Sequence, residues 1–362
     1  MNRQSNVAVS EFLERLTQSG ALSPGEMKDV SETIQMGHSR DIKQLAKSLV
    51  EQRILTEWQT RVLSGNEDGT ISIGEYVILE HIGDGGMGRV YKARNRQTGD
   101  LVALKLLKPQ VASDESAVRR FQREIETASR LQHPNIVATL DSGEQNGQQF
   151  LVMEFVDGHD LATLVRETAE LPVQTAVDCI LRSAKGLAYS HAEQIVHRDI
   201  KPSNLLLSHS GEIRVLDMGL ARITSTPENG ETSPTQITRT GSIMGTVDFM
   251  APEQAINPKT ADGRADIYSL GCTLFYLLTG TKPFTGATVM EVLVAHRENP
   301  IPSLTSKRKD VPESLNAVYL KMVAKDPAQR YQSMQEVVRA LESCLAEHGL
   351  GWLMLQVKSK RR

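Results

Sequence analysis

The sequence predicts an α+β fold of two lobes, strands first and helices after, preceded by a small helical module. Three observations carry this. Extended, β-branched runs crowd between Tyr76 and Phe155. Beyond Gly158 the pattern is mainly helical. Residues 1–70 are polar, with apolar positions at helical spacing.

The elements follow in order. Ser10 stands before the periodic run Glu11–Leu16, and Ser23-Pro24 places a cap residue ahead of a proline at the first helical position. Ile42, Leu45 and Leu49 share one face, and Thr56 can cap a short fourth helix through Trp58 and Val62. Ser64–Gly69 is a linker-like stretch, so 1–70 is expected to be a helical N-terminal module with no chemistry of its own. Strands are expected at Tyr76–Ile82, Val90–Arg94 and Leu101–Leu107. A helix over Asp114–Leu131 is stopped by His133-Pro134, and strands follow near Ile136–Leu140 and Phe150–Phe155. Later come a hairpin (Leu205–Leu207, Ile213–Leu216) and a Ser/Thr-rich loop, Thr224–Thr246.

Composition narrows the function. Charged residues make up 23% of the chain and nearly cancel, giving a net charge of −3, which disfavours nucleic acid as the main partner. The cysteines Cys179, Cys272 and Cys344 are too far apart for metal knuckles and too few for a disulfide framework, which suits a reducing compartment. Met1–Ser10 has no apolar core of a leader peptide, and Ile267–Leu278 is too short and too polar for a membrane span. The apolar Leu350–Val357, followed by basic residues, reads as a docked or frayed terminus within a 346–362 tail.

The chemistry concentrates at three places. Gly83, Gly85 and Gly88 form a GxGxxG loop that leads into a strand, not a helix. It is therefore a hairpin tip, and either a flexible turn or a cover for phosphates. Lys105 ends an apolar strand and needs a partner. Glu124, on the face that Phe121 and Ala128 share, can supply it, as a plain salt bridge or as a brace holding the lysine against phosphate oxygens. His197-Arg198-Asp199 is followed five positions after the aspartate by Asn204, and then by the hairpin and Asp217-Met218-Gly219. Folding back at the hairpin brings Asp199, Asn204 and Asp217 near one another, an oxygen set that suits Mg²⁺.

With these motifs the chain strongly resembles the protein kinase superfamily, in particular bacterial serine/threonine kinases of the eukaryotic-like type, over about residues 76–345. The resemblance implies a bilobal kinase fold with a small β-rich N-lobe and a larger helical C-lobe. It implies ATP as substrate, with Ile82, Gly83, Gly85, Gly88, Val90, Ala103 and Lys105 lining its site. Met153 falls at the gatekeeper position, Glu154 to Val156 form the hinge, and Asp160 meets the ribose. Asp199 accepts the substrate proton, Lys201 steadies the γ-phosphate, Lys105 pairs with Glu124, and Asn204 and Asp217 hold Mg²⁺, with Mn²⁺ as the alternative ion. Asp266 would brace the catalytic loop and Glu253 would pair with Arg330, both structural roles. Lys201 and Gly245-Thr246 match the Ser/Thr pattern, not the tyrosine one. Met218 replaces the usual phenylalanine and is expected to fill its packing slot. Thr238 and Thr240 are the expected activation-loop phosphosites, modified in trans within a transient homodimer. Protein substrates, no nucleic acid, no transmembrane segment and a cytoplasmic location complete the expectation. The alternatives are a pseudokinase scaffold, which usually loses Lys105, Asp199, Asn204 or Asp217, and a small-molecule phosphotransferase, which generally lacks a long segment ending in Ala251-Pro252-Glu253.

Overall fold

The computed structural model describes residues 2–34, 41–85, 88–108, 115–218, 247–257 and 261–347. It divides into two compact units, one of residues 1–121 and 139–155, the other of residues 122–138 and 156–362.

The first unit opens with α1 (Asn2–Ser19), α2 (Pro24–Thr33), α3 (Ile42–Glu51) and α4 (Glu57–Leu63). Ser10 lies inside α1 and does not start it, because no proline or glycine between Asn2 and Ser10 stops the helix from extending back. Ser23 and Thr56 both close capping boxes, with Glu26 and Gln59 respectively, each worth on the order of 1 kcal/mol. The sheet that follows has the order β1-β2-β3-β4-β6-β5, built from Ser72–Ile73, Tyr76–Asp84, Gly88–Asn95, Leu101–Leu107, Gln148–Glu154 and Thr139–Gln145.

Its register sorts the side chains into two faces, since residues directly opposite each other on paired strands share a face. Ile78 pairs with Ala93 and Ala93 with Val102, while Tyr91 pairs with Leu104 and Leu104 with Val152. This face forms one core with Phe12, Leu16, Val30, Leu45, Leu49, Trp58 and Val62 of the four helices. The helices are therefore part of the same hydrophobic unit as the sheet. Polar stitching reinforces the join: Gln59, buried in α4, donates from Nε2 to the Ile78 carbonyl at 2.8 Å and accepts from the Thr56 amide at 2.8 Å. The linker-like stretch is pinned as well. Glu67 accepts from Trp58 Nε1 at 2.7 Å and from Arg61 Nε at 2.8 Å. On the opposite face, Val90 pairs with Lys105 and Lys105 with Leu151, and Ala103 pairs with Met153.

The expected strand over Ile136–Leu140 is divided. Val137 donates to the Val215 carbonyl and Val215 donates to Asn135, whereas the strand proper begins at Thr139 and pairs with β6. The two halves of that apolar run thus serve different partners. The division between units also falls within α5 (Glu115–Ser129), after Phe121.

The second unit holds a small sheet, β7 (Gly158–Asp160), β8 (Leu205–Ser208) and β9 (Ile213–Val215). Around it lie α6 (Leu161–Thr168), α7 (Val173–Ala192), α8 (Pro252–Ile256), α9 (Gly263–Thr279), α10 (Val289–Glu298), α11 (Leu304–Lys307), α12 (Glu313–Met322) and α13 (Met334–Glu347). Helix α9, which contains the Ile267–Leu278 run, is buried along nearly its whole length. It is a core helix, and no helix among the described residues is long and apolar enough to cross a membrane.

Candidate active site

In the first unit the glycine-rich loop is a hairpin tip between β2 and β3, with Gly85 donating to the Gly88 carbonyl at 2.8 Å. The glycines are needed for different reasons. A Cβ on Gly88 would lie 2.6 Å from the Leu106 carbonyl oxygen, so close strand packing requires glycine there. A Cβ on Gly83 would meet nothing within 4 Å, so that position opens onto space a ligand can enter. Lys108 donates to the Gly85 carbonyl at 2.8 Å and lies 3.8 Å from Asp84 Oδ1, holding the loop by its base. Ile82 is exposed at the loop's start, and Val90, Ala103 and Lys105 share the sheet face turned away from the helices. Lys105 is only 3% exposed. The Glu124 side chain and residues Thr238 and Thr240 lie outside the described set, and the Lys105–Glu124 pair with them. Glu154 pairs with Val102 at the end of β6.

In the second unit Asp160 caps α6, accepting from the Thr163 amide at 2.9 Å and the Thr163 hydroxyl at 2.6 Å. Val156 stands two residues before β7. A polar cluster surrounds Asp199. Its Oδ2 accepts from Lys201 Nζ at 2.8 Å and from Asn204 Nδ2 at 3.1 Å, and Asn204 also donates to the Asp199 carbonyl at 2.8 Å. The Asn204 amide nitrogen is thereby committed, which leaves its Oδ1 as an oxygen donor. Leu216 donates to the Asn204 carbonyl at 2.9 Å, which brings Asp217 next to this cluster. Asp217 has a left-handed φ of 54° and Arg198 one of 65°, conformations that cost on the order of 1–3 kcal/mol each and need support.

That support is visible. His197, fully buried, accepts from the Asp199 amide through Nδ1 at 3.2 Å. Its Nε2 therefore carries the proton and donates to the Leu216 carbonyl at 2.7 Å. One histidine so ties the chain before Asp199 to the chain before Asp217. Asp266, buried in α9, accepts from the amides of His197 (2.9 Å) and Arg198 (2.7 Å) and is 2.8 Å from His191 Nε2. Burial alone would raise its pKa, but these bonds hold the carboxyl below its usual range. Glu253 forms a two-pronged pair with Arg330 at 2.7 and 2.8 Å, and Arg330, with no exposed side-chain surface, also donates to the carbonyls of Ala324, Arg264 and Lys325. Met218 is 4% exposed within the core of this unit, so the methionine does fill an apolar slot.

The structure thus joins Asp199, Lys201 and Asn204 by direct bonds, and Asp217 through the backbone. Two contributors were missed: His191, which reads in the sequence as a scattered histidine without metal spacing and bonds Asp266 in the structure, and Gln254, whose Nε2 donates to the Arg198 carbonyl at 2.7 Å. Neither carries a local signal, because each acts through a partner dozens of positions away.

A chain with a glycine hairpin and a buried strand lysine in one unit, and an aspartate–lysine–asparagine loop in the other, has the parts of a phosphotransferase. Comparison with known proteins agrees. The family described as "Protein kinase domain" matches residues 76–341, and the chain belongs to this family. It is similar to the serine/threonine-protein kinase PrkC of Bacillus subtilis, 39% identical over 73% of this chain and 39% of the relative. It is also similar to the serine/threonine-protein kinase PknB of Mycobacterium leprae, 37% identical over 72% of this chain and 42% of the relative. The chain spans about two fifths of the length of these curated relatives. Among solved structures, the PknI kinase domain of Mycobacterium tuberculosis matches with a TM-score of 0.58 and 30% identity, covering 76% of this chain and 99% of that one. Nucleotide and a divalent metal are what this family uses.

Proposed function

We propose that the chain is a serine/threonine protein kinase that transfers the γ-phosphate of ATP to protein hydroxyls, with residues 76–345 as its kinase domain. The observation that carries this reading is the bonded set Asp199–Lys201–Asn204 with Asp217 drawn beside it. Supporting it, the chain belongs to the protein kinase family and retains all four polar residues that a non-catalytic scaffold tends to lose.

The roles follow from the contacts. Lys201 and Asn204 both engage Asp199 Oδ2, which leaves Oδ1 to take the proton from the acceptor hydroxyl. Lys201 is then within reach of charge developing on the transferred group, and Lys105 binds the α- and β-phosphates beneath the Gly83–Gly88 loop. Ile82, Val90 and Ala103 supply apolar surface for the adenine, Glu154 to Val156 its backbone partners, and Asp160 the ribose contact. Asn204 Oδ1 and the Asp217 carboxylate are hard oxygen donors that fit Mg²⁺, and Mn²⁺ as its substitute. When bound, the ion neutralises phosphate charge. Thr238 and Thr240 are the activation-loop sites, modified by a second copy of the chain in a transient dimer. The reading places the protein in the cytoplasm.

Incubating the purified chain with radiolabelled ATP, Mg²⁺ and dephosphorylated casein tests the reading. Label on casein serine and threonine, lost with EDTA and with Asp199→Asn, is the expected result. ATP binding without transfer under all conditions would make the chain a scaffold.

A further inference from the structure

Asp199 is aimed by the peptide plane that precedes it, and that plane is held at both edges. Its N–H, belonging to Asp199, donates to His197 Nδ1 at 3.2 Å. Its oxygen, the Arg198 carbonyl, accepts from Gln254 Nε2 at 2.7 Å. Gln254 lies 56 positions away, on α8, immediately after the Glu253 that Arg330 clamps. We propose that Gln254 is a positioning residue for phosphoryl transfer, setting the orientation of the Arg198–Asp199 peptide and so coupling the end of the activation segment to the base. This rests on the kinase reading of Asp199 given above.

Two further features support it. Arg198 sits at a φ of 65°, with its N–H bonded to Asp266 and its Nη2 donating to the Ala261 carbonyl at 2.7 Å. A peptide in a sparsely populated conformation stays there only when its surroundings over-determine it, and Gln254 supplies the constraint on the Arg198 carbonyl. Gln254 is also a poor choice for stability alone. It is 8% exposed, and among the described residues its Oε1 has no hydrogen-bond partner. A half-satisfied buried amide is less stable than an apolar side chain of similar volume. What leucine could not do is donate to the Arg198 carbonyl.

The coupling has a direction. Glu253 and Gln254 are consecutive, one locked to Arg330 and the other bonded to the peptide of the base. A shift in the segment that carries them moves the Arg198 carbonyl, and a misplacement of about 1 Å at a reacting group costs on the order of a hundredfold in rate.

The test uses the full-length chain, Mg-ATP and dephosphorylated casein, with Gln254→Leu and Gln254→Glu beside wild type and Asp199→Asn. Gln254→Leu is expected to lower kcat about 10- to 100-fold at every pH, with KM for ATP within twofold of wild type. Gln254→Glu is expected to match that loss at pH 8, where an ionised carboxylate cannot donate, and to recover only as the pH falls far enough to protonate the carboxyl, whose pKa burial raises above the usual glutamate value. A purely structural role would give no such recovery. Amide exchange over residues 195–204, which needs no activity, is expected to be faster in Gln254→Leu. The proposal is overturned by unchanged kcat in Gln254→Leu or by unchanged exchange in that peptide. A wild type as inactive as Asp199→Asn would instead defeat the kinase reading, and the exchange measurement would still decide the Gln254 link.

Discussion

Replacing Trp58 by alanine tests whether the N-terminal helices and the strand-rich sheet are one cooperative structure. Trp58 is 3% exposed in α4. Its ring lies 5.5 Å from that of Tyr91 on β3, and its indole N–H is bonded to Glu67 at 2.7 Å. Large aromatic-to-alanine changes in a packed core cost about 3–5 kcal/mol, because transfer free energy is lost and a cavity remains. Against a typical total of about 5–15 kcal/mol this is a large fraction, and it lowers a melting temperature by on the order of 10 °C. The Glu67 carboxylate keeps its bond to Arg61, so the loss is mainly one of packing. Circular dichroism melting gives the size, since Trp58 is one of only two tryptophans and its removal would itself change fluorescence. Hydrogen exchange gives the place. Protection should fall not only in α4 but across Leu101–Leu107, whose Val102 and Leu104 share the core with Trp58. A loss of protection confined to residues 2–63, with the strands unchanged, would refute the single-core account.

Two further outcomes follow from the second unit. Arg330→Ala leaves the Glu253 carboxylate without its two-pronged partner and should destabilise by about 3–5 kcal/mol in denaturant titrations. A loss under 1 kcal/mol would show the pair to be dispensable. His296 donates to the Asp248 carbonyl at 3.0 Å and lies 2.8 Å from the Tyr268 hydroxyl. Burial, aided by the charge of Lys325, pushes its pKa down from 6.5 to about 4. The unfolded chain then binds more protons between these values, so stability is full above pH 6.5 and falls as pH drops towards 4, by about 3 kcal/mol from this group. Comparing wild type with His296→Phe across that window should show a shallower slope in the variant. Equal slopes would contradict the assignment.

The catalytic motifs were legible because they are local: His197 to Asn204 is one turn of chain, and the hairpin that brings Asp217 beside it has the ordinary signals of a hairpin. The caps at Ser23 and Thr56 and the strand Leu101–Leu107 were legible for the same reason. Apart from the Asp266 brace and the Glu253–Arg330 pair, which the kinase resemblance supplied, what escaped was whatever depends on distant partners. Polarity made residues 1–70 read as an appended module, but burial is decided by the few apolar positions on each helix, and those meet the sheet. Asp160 carried a family role in the sequence, whereas the structure also gives it a helix to cap. Gln254 and His296 look unremarkable in sequence, and their importance comes only from a carbonyl 56 positions away in one case and 48 in the other.

Autophosphorylation mapped by mass spectrometry, on the wild-type chain and Asp199→Asn in Mg-ATP, tests the central claim most directly. The account predicts phosphate on Thr238 or Thr240 in the wild type and none in the variant. Wild-type chain that binds Mg-ATP and acquires no phosphate, or equal labelling of both proteins, would contradict it.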